Sequence, residues 1–114
     1  MKLSEKIIEI LDSHGFSFDG IEEQDNEYYI EMNNGTPAGE DWLITIWFDG
    51  SDTGFIDSLE EAVNDFDVDE EVEIWIPGRG QNGVPNSIET LVEDAKWKLK
   101  QLEDLLINLK EVMM

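Results

Sequence analysis

The sequence predicts an α+β domain in which a small antiparallel sheet of three strands packs against helices and a long helix ends the chain. Residues 27–32 and 42–48 show the period-two alternation of apolar side chains that is typical of β-strands. Residues 87–112 carry apolar side chains at spacings of three and four, which predicts one long C-terminal helix. Because the links are short and 114 residues suit one domain, we expect a single acidic domain over residues 1–114.

The N-terminal part of the chain predicts a helix and then a weak strand. The helix is expected to run between Leu3 and Gly15, because glycine favours the left-handed cap that ends many helices. Residues 16–21 alternate weakly and predict the first strand. The polar residues 22–26 are then expected to form the turn into the second strand, which gives an antiparallel meander.

The strand at residues 42–48 differs from the others because both of its faces are largely apolar. Trp42 lies on one face, and Leu43 and Trp47 lie on the other. A strand that is apolar on both faces is typical of the interior of a sheet that is covered on two sides. We therefore expect this strand to be the central strand of the three.

Two further segments precede the last helix, and one of them is ambiguous. A capping box formed by Ser58 and Glu61 predicts that the second helix begins at Asp57 or Ser58. Residues 68–76 alternate as a strand does, but they also place valine and isoleucine at helical spacing behind an acidic cap at Asp67. Local patterns therefore leave helix and strand both open for this segment.

The C-terminal helix is long for so small a chain. Its 26 residues extend about 39 Å at 1.5 Å per residue, whereas a domain of this size has a radius of gyration of about 13 Å. The helix is expected either to lie across the whole sheet or to project and form a homodimer with a second copy. The predicted apolar seam consists of Ile88, Val92, Ala95, Leu99, Leu102, Leu106, Leu109 and Met113.

Charge is the most informative bulk property of the sequence. The chain has a net charge of −21, and residues 7–95 carry 24 carboxylates against Arg79 alone, for a local net charge of −23. Such a field repels nucleic acid, anionic membranes and phosphate substrates, and it attracts basic protein surfaces. The other interpretation is that the acidity serves only solubility. If the charge has a binding role, we expect a basic protein surface as the partner, and we expect direct binding neither to nucleic acid nor to membranes.

The composition also narrows the cellular setting. The chain contains no cysteine, which excludes a disulfide framework, a thiolate metal site and a cysteine nucleophile. Glu5 and Glu9 interrupt the N-terminal apolar residues, so a signal peptide is not expected. No segment approaches the ~20 apolar residues of a membrane span. We therefore expect a cytoplasmic protein.

The sequence offers few groups for catalysis. The one histidine, His14, is expected to cap a helix, and the many neighbouring carboxylates have no evident base partner. Residues 78–83 match the letters G-x-G-x-x-G of a dinucleotide loop, but Val84 and Pro85 separate them from the next helix and their surroundings are anionic. We predict an irregular loop over residues 77–85, no enzyme activity and no cofactor.

Calcium binding is one alternative function. Residues 49–60 imitate a twelve-residue calcium loop, with oxygen ligands at the expected spacing and a glycine at the sharp turn. The other interpretation is a strand-to-helix turn, in which glycine and aspartate are common. In the calcium interpretation the ligands are Asp49, Ser51, Thr53, Asp57 and Glu60.

The candidate partner-binding residues combine acidic, basic and aromatic groups. Trp97 lies off the predicted helical seam among lysines, and Arg79 lies in an acidic field. Aromatic and arginine side chains together are typical of protein interfaces. The predicted partner-binding residues are Glu70, Glu71, Glu73, Arg79 and Trp97.

Five short segments of the sequence are TPAGEDW at residues 36–42, WFDG at 47–50, FDVDEE at 66–71, NGVPNS at 82–87 and LVEDA at 91–95. With these segments the chain resembles a family of short, acidic, uncharacterised proteins of conjugative and prophage elements in gut Firmicutes. The resemblance implies a short helix rather than a strand around residues 69–76. It assigns no functional residues, because the family has no established activity.

The leading functional hypothesis is a non-enzymatic acidic protein-binding module. Its narrower form is a DNA-mimic-like inhibitor, carried by a mobile element, of a nucleic-acid-binding host defence protein. A DNA mimic needs carboxylates that are spaced on one face as phosphates are, and not merely many of them. The alternatives are a calcium-binding module through residues 49–60 and a structural homodimer.

Overall fold

Three strands and four α-helices make up the described part of the chain, which a computed structural model gives for residues 3–37, 39–78 and 87–113. The predicted α+β class, with its three-stranded antiparallel sheet and long C-terminal helix, is confirmed. A single turn of 3-10 helix follows the third α-helix at Ile76–Gly78. The elements are α1 (Glu5–Ser13), β1 (Ile21–Gln24), β2 (Glu27–Gly35), β3 (Asp41–Phe48), α2 (Asp52–Asp65), α3 (Val68–Trp75) and α4 (Ile88–Met113).

The sheet has the order β1-β2-β3, so β2 is its central strand. The prediction that residues 42–48 form the central strand is therefore wrong. Trp42 and Phe48 of β3 are buried against the helices, but Leu43 and Trp47 on the opposite face are 50% and 44% exposed. The second apolar face of β3 reflects a solvent-facing apolar surface, and not a second covering layer.

The first strand lies later in the chain than predicted. Of the predicted strand at residues 16–21, only Ile21 belongs to β1, and Ser17 pairs in an isolated bridge with Asn33. The polar segment that was expected to be a turn forms β1 instead. Asp25 and Asn26 make the tight turn into β2 with φ values of 52° and 68°, a conformation that Asp and Asn tolerate better than most residues. Cross-strand pairing here overrides the weak apolar alternation before it.

Helix α2 begins earlier than the predicted start at Asp57 or Ser58, which is wrong. Its N-cap is Ser51, whose hydroxyl accepts a hydrogen bond from the Gly54 amide at 2.9 Å. This cap compensates for a glycine in the first turn, which is otherwise unfavourable in a helix. The earlier start brings Phe55 onto the buried side of the helix.

Residues 68–75 are helical, as the resemblance implied. Asp67 caps this helix, because its carboxylate accepts hydrogen bonds from the amides of Asp69 at 2.9 Å and Glu70 at 3.4 Å. Val72 then packs in a small apolar cluster with Leu91 and Ala95 of α4. Capping and burial against α4 therefore decide between the two patterns that the sequence left open.

Helix α4 lies across the molecule instead of projecting from it. The longest dimension of the molecule is 40 Å, about the ~39 Å length of this helix alone. The seam that predicted a homodimer is largely occupied within one chain, because Leu102 and Leu109 are fully buried there. The buried stripe is rotated slightly from the predicted seam and consists of Leu91, Asp94, Ala95, Lys98, Leu102, Leu105, Leu106 and Leu109.

The main core lies between the inner face of the sheet and helices α1, α2 and α4. Ile30 and Met32 of β2 are fully buried beneath Phe55 of α2 and Leu102 of α4. The smaller cluster around Val72 joins α3 to the N-terminal half of α4. Within the described ranges, no helix has both the length and the apolar character that a membrane span requires.

Replacing Ser51 with alanine tests the corrected start of α2. We expect Ser51→Ala to lower the free energy of unfolding by about 1 kcal/mol, the usual effect of losing a side-chain N-cap. Ser51 donates hydrogen bonds to Asp49 from its amide at 2.9 Å and its hydroxyl at 2.6 Å; both lower the Asp49 pKa. The substitution should therefore also raise that pKa, as NMR titration can measure. Ser58→Ala, at the wrongly predicted start, should leave the Asp49 pKa unchanged.

Candidate functional site

A buried lysine lies at the centre of the candidate site. Lys98 is 1% exposed, and its Nζ donates hydrogen bonds to Oε1 of Glu40 at 2.9 Å and to Oε1 of Glu71 at 2.8 Å. The rings of Trp42 and Trp75 lie near the same nitrogen, with centroids 5.8 Å and 5.2 Å away. Carboxylates and aromatic faces are the groups that stabilise a buried ammonium ion. The amine is enclosed, and it serves as a fixed charge instead of an accessible nucleophile.

Two separate parts of the chain supply the carboxylate partners of Lys98. Glu40 ends the β2–β3 connection, where its amide donates to the Thr36 hydroxyl at 3.1 Å and its carbonyl accepts from the Thr36 amide at 3.0 Å. Gly39 adopts a φ of 93° in this turn, a value that favours glycine. Glu71 lies on α3, where the indole Nε1 of Trp75 donates to its carboxylate at 2.8 Å. The cluster therefore links the sheet, α3 and α4.

Glu40 and Asp94 form an acid pair beside the lysine. They are 3% and 5% exposed, and each has one buried carboxyl oxygen without a hydrogen-bond partner among the described residues. Burial raises the pKa of Glu40, the neighbouring Asp94 carboxyl raises it further, and Lys98 acts in the opposite direction. Burial without a hydrogen-bond partner for one oxygen, together with the like charge beside it, therefore makes ionisation of Glu40 unfavourable, and the ion pair with Lys98 offsets part of this effect.

The predicted partner-binding residues are divided by the structure. Glu70 and Glu73 are exposed on α3, whereas Glu71 turns inward to Lys98. Trp97 is half-buried, and its ring lies edge-on to Trp42 with the centroids 6.2 Å apart. Arg79 lies outside the described residues. Of the G-x-G-x-x-G match at residues 78–83, only Gly78 lies within them. The predicted set therefore does not form one surface in the described part of the chain.

Trp97 nevertheless lines a cavity of about 360 Å³ at the other side of the cluster. Asp94 and Glu93 of α4 and Pro37 of the β2–β3 connection contribute to its walls. The cavity is lined mainly by apolar surface, and its charged groups are acidic. The indole thus combines a packing role against Trp42 with one exposed side.

The five predicted calcium ligands do not form an open loop. Helix α2 begins at Asp52, so Asp57 and Glu60 lie within the helix. Glu60 pairs with Lys110 of α4, and the Asp49 carboxylate is engaged by Ser51. Among the described residues, no group of three or more acidic or histidine side chains could hold a metal ion. Of the two interpretations of residues 49–60, the structure shows the strand-to-helix turn, because the Ser51 cap starts the helix inside the twelve-residue segment.

The acidic surface is not confined to one face. Exposed carboxylates lie on every helix and strand, including Glu9 of α1, Glu31 of β2 and Glu103 of α4. By contrast, residues 7–78 contain no lysine or arginine. All three strands and helices α2 and α3 therefore present carboxylates without any basic residue of their own.

The open face of the sheet carries an exposed apolar surface. Tyr29 of β2 and Trp47 of β3 pair across the strands with ring centroids 4.6 Å apart. Leu43 lies on the same face of β3, and exposed Glu22 and Glu31 flank the aromatic pair on the neighbouring strands. We call these five residues the open-face surface. It combines aromatic anchors with an acidic rim, a composition that suits a protein interface.

The central residues of the ion cluster were missed by the sequence analysis. Lys98 follows Ala95 by three residues and precedes Leu102 by four, so it lies on the buried stripe by spacing. A charged residue is ordinarily assigned to the solvent side of a helix. No pattern in the sequence distinguishes Glu40 and Asp94, which are buried, from the other carboxylates of the chain. The helical spacing of Lys98 was the one clue to a buried charge.

Removing the buried charge should be far more costly than removing an exposed one. We expect Lys98→Met to lower the free energy of unfolding by about 3–5 kcal/mol, because Glu40 and Glu71 then lose their shared cation. Lys100→Met is the matched control two residues away, since Lys100 is exposed and pairs with Asp104. That exposed pair should contribute less than about 1 kcal/mol. Urea denaturation at pH 7 measures both, and equal losses would contradict a buried cluster.

The raised pKa of Glu40 predicts a pH-dependent effect of Glu40→Gln. The folded state holds the Glu40 proton more tightly than the unfolded state, so this contribution is fully present below the ordinary pKa of 4.5 and is lost as pH rises through the raised value. Glutamine cannot titrate. Relative to wild type, Glu40→Gln should therefore gain stability as pH rises above 4.5. Denaturant unfolding at several pH values, with Glu31→Gln as a control for the lost charge, measures the difference; a constant difference contradicts the raised pKa.

Comparison with known proteins supplies no relative from which a role for these residues could be transferred. No protein-family model matches the chain, and neither a curated protein nor a solved structure shows significant similarity to it.

Proposed function

We propose that the chain is a non-enzymatic acidic protein-binding module that binds a basic surface of another protein through its open-face surface. The single observation that carries this proposal is the Tyr29–Trp47 pair, in which Trp47 is exposed beside exposed Leu43 and carboxylates, on strands that lack any basic residue. Exposed apolar side chains that adjoin one another within a polar rim mark interaction sites, whereas singly scattered ones do not. Aromatic anchors contribute much of the binding energy in protein interfaces.

The charge of the module selects the partner. With a net charge of −21, the protein attracts basic surfaces over distances of about one Debye length, which is ~10 Å at 0.1 M salt. Like-charged surfaces are repelled by the same field. Charge therefore accounts for partner choice and association rate, and the apolar anchors account for the lifetime of the complex.

The distribution of carboxylates supports a general acidic protein-binding module more than it supports a DNA mimic. A mimic presents its acids as a phosphate-like row on one face. Here Glu9, Glu31 and Glu103 illustrate that exposed acids lie on elements of every part of the described chain. The inhibitor of a nucleic-acid-binding protein remains the narrower form of the proposal, and competition with DNA for a captured partner tests it.

Matched variants in an affinity-capture experiment test the proposal. Immobilised wild-type protein should retain a basic protein from a host lysate at low salt. Trp47→Ser should weaken capture of that protein by about thirtyfold, the effect of losing a hot-spot side chain of roughly 2 kcal/mol. The control Ile107→Ser replaces a comparably exposed apolar residue on α4 and should retain the partner.

Two double variants distinguish the effect of carboxylates on the open-face surface from the effect of the overall net charge. Glu22→Gln with Glu31→Gln removes two carboxylates from the open-face surface, whereas Glu5→Gln with Glu9→Gln removes two from α1. The first pair should weaken capture more than the second, and raised salt should reduce the difference. Equal effects of the two pairs, or unchanged capture by Trp47→Ser, would rule out this surface as the binding site.

A further inference from the structure

Among the residues that the structure describes, the outer edge of β3 is unpaired. Because the sheet order is β1-β2-β3, β3 bonds to β2 along one edge only. Within the described ranges, no backbone group of residues 41–48 bonds to any other part of the chain. Alternate amide and carbonyl groups along these eight residues therefore point outward without a protein partner. Such an edge is a template for another strand.

A groove of about 430 Å³ runs along this free edge. Trp42 and Ile44 point to the core face of the sheet and Leu43 and Thr45 to the open face, yet all four line the groove. Side chains that point to opposite faces of a strand can line one groove only where it follows the edge of that strand. The opposite wall is formed by Phe66, Glu71, Ile74 and Trp75.

Within the described residues, this edge lacks three of the features that protect the edge strands of isolated domains. Edge strands are commonly blocked by proline, by lysine or by a bulge. Residues 41–48 contain neither proline nor lysine, and their pairing register with β2 is continuous from Asp41 to Phe48. The wall facing the edge exposes Ile74, which is 66% exposed although it is apolar. Helix α3 lies beside the groove without a backbone hydrogen bond to β3, so among the described residues the edge can accept an incoming chain that brings its own backbone hydrogen bonds.

The chemistry of the groove identifies its occupant. Its charged lining residues are Asp41 and Glu71, both acidic, and Glu70 and Glu73 are exposed on the same helix. Strand addition supplies main-chain hydrogen bonds, while side chains of the added strand alternate between the apolar wall and the acidic surroundings. A second copy of this chain is disfavoured, because each copy carries a net charge of −21 and β3 has no basic residue.

We propose that an extended basic segment of a partner protein adds to the free edge of β3 as a fourth strand, in the groove between β3 and α3. This inference rests on the proposed binding to a basic partner and specifies how one segment of that partner is held. The segment alternates apolar residues, which pack against Ile74 and Trp75, with lysine or arginine residues that lie on the open face of the sheet near Asp41. The groove adjoins the open-face surface through Leu43.

Synthetic peptides of equal charge test strand addition directly. The first peptide alternates four lysines with four valines; two further peptides carry the same sequence with N-methyl groups on the valine amides or on the lysine amides. In an extended strand these two sets of amides point to opposite edges. One methylated peptide should therefore bind the wild-type protein about tenfold more weakly than the other, by the loss of several hydrogen bonds. NMR titration at low salt measures the affinities, and amide exchange of β3 should slow when the unmethylated peptide binds.

A variant that adds one carboxylate to the groove distinguishes strand addition from simple attraction between opposite charges. Ile74→Glu makes the protein more acidic but places a carboxylate on the apolar wall, so it should weaken the unmethylated peptide about tenfold or more. Ile107→Glu makes the same change at a residue of α4 that is 56% exposed and lies outside the groove. It should leave the affinity unchanged or raise it slightly.

The outcomes distinguish this inference from the proposed function. Equal binding of all three peptides, with no loss in Ile74→Glu, would overturn strand addition and leave binding by charge in place. A failure of every peptide to bind at millimolar concentration and low salt would also overturn it. The proposed function is judged separately by the Trp47→Ser capture experiment, which uses none of these peptides.

Discussion

The ion cluster around Lys98 is the interaction on which the arrangement of the other elements depends. On α4, Lys98 lies between Ala95 of the smaller apolar cluster and Leu102 of the main core. Glu40 reaches it from the sheet and Glu71 reaches it from α3. A buried ammonium ion is costly unless every partner is in place. The cluster therefore stabilises one relative position of the β2–β3 connection, α3 and α4 and disfavours the others.

The groove beside β3 is a consequence of that position. Val72 buries one side of α3 against α4, and Glu71 holds the helix to Lys98. Ile74 and Trp75 then face the edge of β3 across open space instead of closing on it. A partner strand would occupy this space and would also relieve part of the repulsion among the carboxylates. Binding of a basic partner should thus stabilise the folded state, since a ligand that prefers the folded form shifts the unfolding equilibrium.

The sequence was sufficient for the α+β class, the long last helix and two of the three strands, because these depend on apolar periodicity. The errors arose where long-range contacts or single side chains, and not apolar periodicity, determine the position of an element. β1 consists largely of polar residues that pair by their backbone, and the start of α2 depends on one hydroxyl group, that of Ser51. For residues 68–75, Asp67 and Val72 favour the helix only because α4 lies opposite. At the candidate site, Lys98 was missed because a charged side chain on a helix is ordinarily assigned to the solvent-exposed face.

The error about β3 is the most informative of these differences. Its two apolar faces predicted an interior strand, and the structure instead leaves Leu43 and Trp47 exposed on one face and an unpaired edge beside them. An isolated domain gains no stability from apolar side chains on an open edge strand, and it increases its risk of aggregation. Positions where sequence rules fail in this way are expected at functional sites. The apolar pattern of an interior strand on this edge strand supports the proposed addition of a partner strand to β3.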